Sequence, residues 1–165
     1  MSTDPDAIRV LHVDDDPDLA DLAATYLERE DERLDIETAT DAAEGLDRVA
    51  DGEFDCVVSD YDMPGRTGIE FLEAVRESFP ELPFILYTGK GSEEVASDAI
   101  ASGVTDYLQK ERGTGQYAVL ANRITNAVEQ FRTGQRAAEL DRIRTLASEI
   151  NKAIVRADSR RAVET

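Results

Sequence analysis

Cysteine and histidine occur once each in the 165 residues, as Cys56 and His12. A single cysteine excludes an intramolecular disulfide and any multi-cysteine zinc site. A single histidine excludes a His-x-x-x-His metal pair. His12 also lies inside an apolar run, which argues against a Ser-His-Asp triad and for a structural role. Long apolar runs are missing as well. No stretch nears the roughly 20 residues of a membrane span, and the polar start MSTDPDAIR is not that of a signal peptide. A soluble, cytoplasmic protein without membrane contacts is the expectation.

Basic charge is scarce. Against 36 acids stand 18 bases, for a net charge of -18, and only Lys90, Lys110 and Lys152 are lysines. Direct binding of nucleic acid needs a basic footprint and is not expected. Surface acid with so little lysine points to a high-salt cytoplasm; the plain alternative is an arginine-rich, GC-biased genome. The charge is uneven too. Residues 1–131 carry 31 acids and 10 bases, residues 132–165 carry 5 and 8. A break of this kind predicts a domain over 1–131 followed by a different element over 132–165.

The apolar pattern alternates short buried runs with helical periodicity. Strands are predicted over Ile8–Val13, Leu34–Ala39, Phe54–Ser59, Pro83–Tyr87 and Asp106–Leu108. Asp16-Pro17 opens a first helix bearing Leu19, Leu22, Ala23, Tyr26 and Leu27. Asp41 with Glu44 reads as a capping box for a second, closed by Asp51-Gly52. A loop over 60–68 leads to a third helix with Ile69, Leu72, Val75 and Phe79. A fourth carries Val95, Ala96, Ala99 and Ile100 and stops at Gly103. Leu120, Ile124, Val128 and Phe131 mark a fifth. Five strands alternating with five helices imply a parallel α/β sheet with right-handed crossovers.

Polar residues collect just after the strands: Asp14, Asp15 and Asp16 after the first, Asp60 after the third, Thr88 after the fourth, Lys110 after the fifth. Ligands of open parallel sheets bind outside the carboxyl ends of the strands. Each residue alone has a plain role, as a helix cap, a turn residue or a solvated lysine. Their joint placement at four strand ends does not. Clustered carboxylates repel unless a cation joins them, and hard oxygen ligands at an open site suit Mg²⁺. A hydroxyl and a lysine opposite suit phosphoryl oxygens. The residues therefore point to Mg²⁺-dependent phosphoryl transfer with an aspartate as acceptor.

The segments VLHVDDDPD (10–18), VVSDYDMPGRTGIEFL (57–72), FILYTGKG (84–91) and SGVTDYLQK (102–110) resemble the receiver domain of two-component response regulators. The resemblance covers about 8–131, and the lysine-poor acidity makes a haloarchaeal member the expectation. It implies a flavodoxin-like doubly wound sheet of order 2-1-3-4-5. It further implies Asp60 as phosphoryl acceptor, with Asp15 ligating Mg²⁺ directly, Asp14 through water, and Asp62 through its backbone carbonyl. Thr88 and Lys110 would contact phosphoryl oxygens, and Tyr107 would be the aromatic switch. The donor would be a phosphohistidine on a sensor histidine kinase or phosphotransfer protein, and no turnover of an external substrate is expected. Two features depart from the usual pattern. Glu111 stands where proline usually follows the lysine, which predicts a trans peptide there. Asp62 and Lys90 occupy positions that vary widely and should alter water access to an acyl phosphate.

Two other readings stand beside this one. A haloacid-dehalogenase-like phosphatase also uses a strand-end aspartate nucleophile with a second aspartate two residues on, as in Asp60-Tyr61-Asp62. Its nucleophile, however, follows the first strand. An interaction-only module would not need the full polar set. Cys56 reads as a small buried hydrophobe. In the C-terminal segment, Leu140, Ile143, Ala147, Ile150, Ile154 and Ala157 form a heptad seam. A homodimer through 135–157 is expected from it, the alternative being a helix folded back on its own domain. The sequence from Thr145 onward also resembles the opening of sensory modules such as GAF domains, which suggests a further domain downstream.

Overall fold

The computed structural model describes residues 6–89, 92–135 and 137. The chain divides into two compact units, residues 1–129 and 130–165. The first contains β1 (Ile8–Val13), α1 (Pro17–Glu30), β2 (Leu34–Ala39), α2 (Ala42–Asp51), β3 (Cys56–Ser59), α3 (Gly68–Ser78), β4 (Phe84–Thr88), α4 (Glu93–Ala101) and β5 (Asp106–Gln109). Helix α5 follows from residue 115; of the second unit, residues 130–135 are also helical. The heptad seam predicted beyond residue 137 and the dimer contact over 135–157 lie outside the described residues.

The strands form one parallel sheet in the order β2-β1-β3-β4-β5, as the resemblance implied. Burial follows from that order. The central strands β3 and β4 are buried at every position, while the edge strand β2 alternates and β5 has no fully buried residue. Helices on both faces account for this, because a strand covered on both sides reads as a continuous apolar run. Ile8, Val10, Cys56, Val58 and Ile85 face α1 and α5, meeting Leu27, Leu120, Ile124 and Val128. Leu11, Val13, Val57, Phe84 and Leu86 face the other way, onto Val49, Phe71, Leu72 and Val75.

Several boundaries differ from those predicted. Strand β3 begins at Cys56 rather than Phe54, because Asp55 turns into the sheet by bonding Arg9 through both its N–H and its carboxylate. Strand β4 begins at Phe84 and includes Thr88; Pro83 has no N–H for the ladder but lends its carbonyl to Val57. The capping box expected at Asp41 is half formed. Asp41 accepts from the Glu44 N–H, but the Glu44 carboxylate turns back to the N–H and hydroxyl of Thr40. A complete box stands instead at Thr67 and Glu70, opening α3. The apolar stripes are also narrower than the periodicity suggests. Leu19 and Leu22 are each 46% exposed and Ile100 is 72% exposed; of the predicted stripes Ala23, Leu27 and Ala99 face the core, joined by Ala20.

Candidate functional site

The parallel order brings four strand ends to one edge of the sheet. The ladder itself fixes their height: the Asp60 N–H bonds the Val13 carbonyl, Asp14 bonds Ala39, and Lys110 bonds Thr88, at 2.8–3.0 Å. Asp14, Asp60, Thr88 and Lys110 thus emerge from backbone that is still hydrogen-bonded as sheet. Asp16 caps α1 through the N–H groups of Asp18 and Leu19 and sends its own N–H to Asp14 Oδ1 at 2.9 Å.

Of the predicted side chains, Asp14, Asp15, Asp60 and Lys110 come together. One carboxylate oxygen from each of Asp14, Asp15 and Asp60 lies within 4.8 Å of the others. Asp14 is buried, Asp60 partly buried and Asp15 exposed. Lys110 spans two of them, its Nζ donating to Asp14 Oδ2 at 3.0 Å and to Asp60 Oδ2 at 3.4 Å. The other oxygen of Asp60 accepts the Tyr61 N–H at 2.7 Å. Burial pushes the Asp60 carboxyl above its ordinary range, and Asp14 adds to this; Lys110 and the Tyr61 N–H oppose it. Burial alone would lower the Lys110 ammonium, but bonding to Asp14 and Asp60 outweighs it and holds the group above its usual value. Three carboxylates face one ammonium, and the uncompensated charge is of the size a divalent cation neutralises. The oxygen-only donor set and the short spacing fit a hard ion such as Mg²⁺.

The other predicted residues sit around this cluster. Thr88 closes β4 and is buried, paired in register with Gln109. Tyr107 lies beside Leu86, and its hydroxyl is buried without a hydrogen-bond partner. Asp62 stands exposed in the loop leaving β3, outside the group of three carboxylates. Lys90 lies outside the described residues. The Lys110–Glu111 peptide is trans, as expected, there being no cis peptide among the described residues.

Two contributors carry no signal in the sequence, and a third, His12, shows there only as a structural residue of an apolar run. Gln116 fastens the loop that carries Lys110: its Oε1 accepts from the Glu111 N–H and from the Tyr87 hydroxyl, and its Nε2 donates to Gly113 at 2.8 Å. An unremarkable glutamine near a helix start marks no motif. Gly68 lets the start of α3 lie against the acceptor's backbone; a Cβ there would stand 2.2 Å from the Asp60 carbonyl oxygen. Its place in RTGIE reads only as turn chemistry. His12 lies behind Asp14 on the α1–α5 side of the sheet, 1% exposed, and neither ring nitrogen has a well-formed hydrogen bond among the described residues. Burial pushes it down to about 4, with Lys110 adding and Asp14 and the Ala20 carbonyl opposing, so the ring is neutral.

Comparison with known proteins agrees with this geometry. The nitrogen assimilation regulatory protein NtrX of Azorhizobium caulinodans is 31% identical over 136 residues, 81% of this chain and 29% of that protein. The bacterioopsin transcriptional activator of Halobacterium salinarum is 37% identical over 120 residues, 71% of this chain and 17% of that protein. The chain therefore spans less than a third of the length of these relatives. A CheY-like response regulator receiver domain from Methanospirillum hungatei superimposes with a TM-score of 0.70 at 26% identity, over 78% of this chain and 98% of that one. Residues 10–122 match the response regulator receiver domain. These residues include all of the sheet but Ile8 and Arg9, and every strand-end group described above, and the chain belongs to the receiver domain family of two-component response regulators.

Proposed function

We propose that Asp60 is the residue of this receiver that accepts a phosphoryl group, from a phosphohistidine of a sensor histidine kinase or phosphotransfer protein. The carrying observation is the placement of the Asp60 carboxylate, half-buried at a strand end, between two further acids and Lys110. An Asp60 oxygen attacks phosphorus, the P–N bond breaks, and its electrons return to the imidazole nitrogen. The product is an acyl phosphate on Asp60. Lys110 sits where it can pass from Asp60 Oδ2 to a phosphoryl oxygen, and Thr88 supplies a hydroxyl from the adjacent strand end. Asp15, Asp60, the Asp62 carbonyl and Asp14 through water would hold Mg²⁺, which when bound neutralises charge on the transferring group. Tyr107 is the aromatic group that reports this event to the α4–β5 surface. The role is that of a switch, with no external substrate turned over.

The acid excess supports a high-salt, haloarchaeal setting, and a cytoplasmic location follows from the same reading. No helix among the described residues is long and apolar enough to cross a membrane. Residues 132–165 would act as a helical linker, paired between two chains over 135–157.

Incubation with acetyl phosphate and Mg²⁺ tests the acceptor. One hydroxylamine-labile phosphoryl group per chain is expected, and none on Asp60→Asn, whose amide is no nucleophile. Undiminished labelling of that variant would overturn the assignment. Steady turnover of a phosphate monoester would favour the phosphatase reading.

A further inference from the structure

Behind the acidic cluster, on the α1–α5 side of the sheet, is a partly enclosed cavity of about 160 Å³. Its walls include His12, Asp14, Tyr87, Lys110, Gln116 and Tyr117. His12 is the unusual member. It is buried in the sheet, and among the described residues neither ring nitrogen has a well-formed hydrogen bond, the Ala20 carbonyl acting on the ring only weakly. Buried polar atoms in folded proteins are almost always hydrogen-bonded, and an orphan facing a cavity points to an occupant.

The chemistry of the walls selects that occupant. A neutral imidazole presents one donor and one acceptor, so its partner must be able both to give and to accept a hydrogen bond. A metal ion cannot satisfy the N–H. Moreover, among the described residues the one group that brings three ligating side chains together is Asp14, Asp15 and Asp60, without His12. An anion would meet the Asp14 carboxylate. At about 30 Å³ per molecule, the space admits about five waters, too little for most organic ligands. Lys110 meets the same space. An ammonium has three N–H donors, and its side-chain bonds to Asp14 and Asp60 use two. Its Nζ lies 5.7 Å from the centroid of the Tyr87 ring, another wall of the cavity.

We propose that this cavity is an internal hydration site, and that water held on His12 gives Lys110 its third hydrogen-bond partner. His12 is then a positioning residue: it acts on the phosphoryl-contacting lysine through water, never touching the reacting atoms. The hydrated wall holds the ammonium at the height of both carboxylates, and Gln116 fastens the loop on which that lysine stands. The proposal rests on the phosphoacceptor reading only for its consequence at Lys110, not for the hydration itself.

Two measurements separate these parts. Water–protein NOEs on the wild-type chain should show long-lived water at the His12 ring protons, with imidazole ¹⁵N shifts of a hydrogen-bonded neutral ring. The same chain, His12→Gln and His12→Leu are then compared for acceptance from acetyl phosphate and for Mg²⁺ affinity. Glutamine keeps a donor and an acceptor, so it should retain most of the wild-type rate. Leucine should lose the water signal and accept roughly threefold to tenfold more slowly, the effect of one hydrogen bond, at unchanged Mg²⁺ affinity. Absence of long-lived water at His12 in the wild-type chain overturns the proposal without any variant needing to fold. A folded His12→Leu that accepts at the wild-type rate overturns the positioning role. If the wild-type chain accepts no phosphoryl group, the acceptor reading fails while the NOEs still decide the hydration.

Discussion

Substituting Gly68 by alanine tests whether the acceptor's position depends on close backbone packing. The added Cβ would fall 2.2 Å from the Asp60 carbonyl oxygen and 2.8 Å from Leu86 Cδ1. Leu86 can rotate, but the carbonyl belongs to backbone fixed by the Asp60 N–H bond to Val13 and the Gly68 N–H bond to Tyr61. Real Cβ contacts essentially never fall under 3.0 Å, so the two segments must part by at least 0.8 Å. Overpacking of this kind costs about 1–3 kcal/mol. Relief of the glycine helix penalty, up to about 1 kcal/mol, offsets part of it. A net loss of about 1–2 kcal/mol remains, or roughly 2–8 °C in the thermal midpoint of a chain this size. The shift also moves the nucleophile by nearly 1 Å, and such misplacement costs up to about 10²-fold in rate. Phosphoryl acceptance should therefore drop at least about tenfold even at temperatures where the variant is fully folded. Gly115→Ala is the control: nothing lies within 4 Å of its Cβ position, so stability and acceptance should both hold. The reasoning is refuted if Gly68→Ala matches wild type in thermal midpoint and acceptance rate.

Two other outcomes follow from charge and burial. Net charge of -18 on 165 residues should destabilise the chain at low ionic strength, so the unfolding midpoint should rise between 0.1 M and 2 M KCl as screening shortens from about 10 Å to under about 3 Å; a flat response would remove the support for a high-salt setting. Cys56 is fully buried, and burial, with Asp55 adding, pushes its thiol well above its ordinary value. Maleimide labelling of the native chain at pH 8 should be far slower than in denaturant, and equal rates would contradict a closed α1–α5 face.

The sheet and the acidic edge were legible in the sequence because both are written in short-range signals. Val-Val-Ser-Asp or Phe-Ile-Leu-Tyr-Thr names a buried strand and its polar end at once, since covered parallel strands need no alternation. The strand limits were less legible, because Asp55 joins the sheet through two bonds to Arg9 and Pro83 through one to Val57, partners distant in sequence. Helix faces were read too broadly. Ile100 keeps the spacing of a core residue, yet α4 docks through Ala99, and periodicity alone does not say how closely a helix approaches its sheet. Gln116 and Gly68 were illegible for a related reason. Their work is defined by backbone from another segment, the 110–113 loop in one case and Asp60 in the other, and no local pattern encodes that approach.

The distribution of burial also says which part of the fold can respond when the site changes. Strands β1 and β3, which carry Asp14 and Asp60, sit in the middle of the sheet with almost every side chain buried. A change of charge at Asp60 meets a large cost if it is relieved by moving them. The other side of the site is held much less. Helix α4 has one fully buried side chain, Ala99, and no position of β5 is fully buried. What secures this region is at its far end. Arg76 donates to the carbonyls of Gly103, Phe79 and Leu82, Ser102 bonds Glu73, and Thr105 exchanges hydrogen bonds with Phe84. The C-terminal end of α4 is thus tied to α3 and β4, while its N-terminal end, capped by Ser92, has no such ties among these bonds. Segments with few buried contacts open at lower free energy than the core around them. Tyr107, whose hydroxyl has no hydrogen-bond partner among the described residues, packs with Val95 and Ala99 of α4 inside that softer region, two register steps from the strand end that carries Thr88. If Asp60 is the acceptor we propose, the path of least cost from it would run through Thr88 and Tyr107 to α4, pivoting on the Arg76 ties. On that reading the sparse burial of α4 and β5 makes their shared face the expected place of change, and unchanged amide shifts there with and without beryllofluoride would count against it.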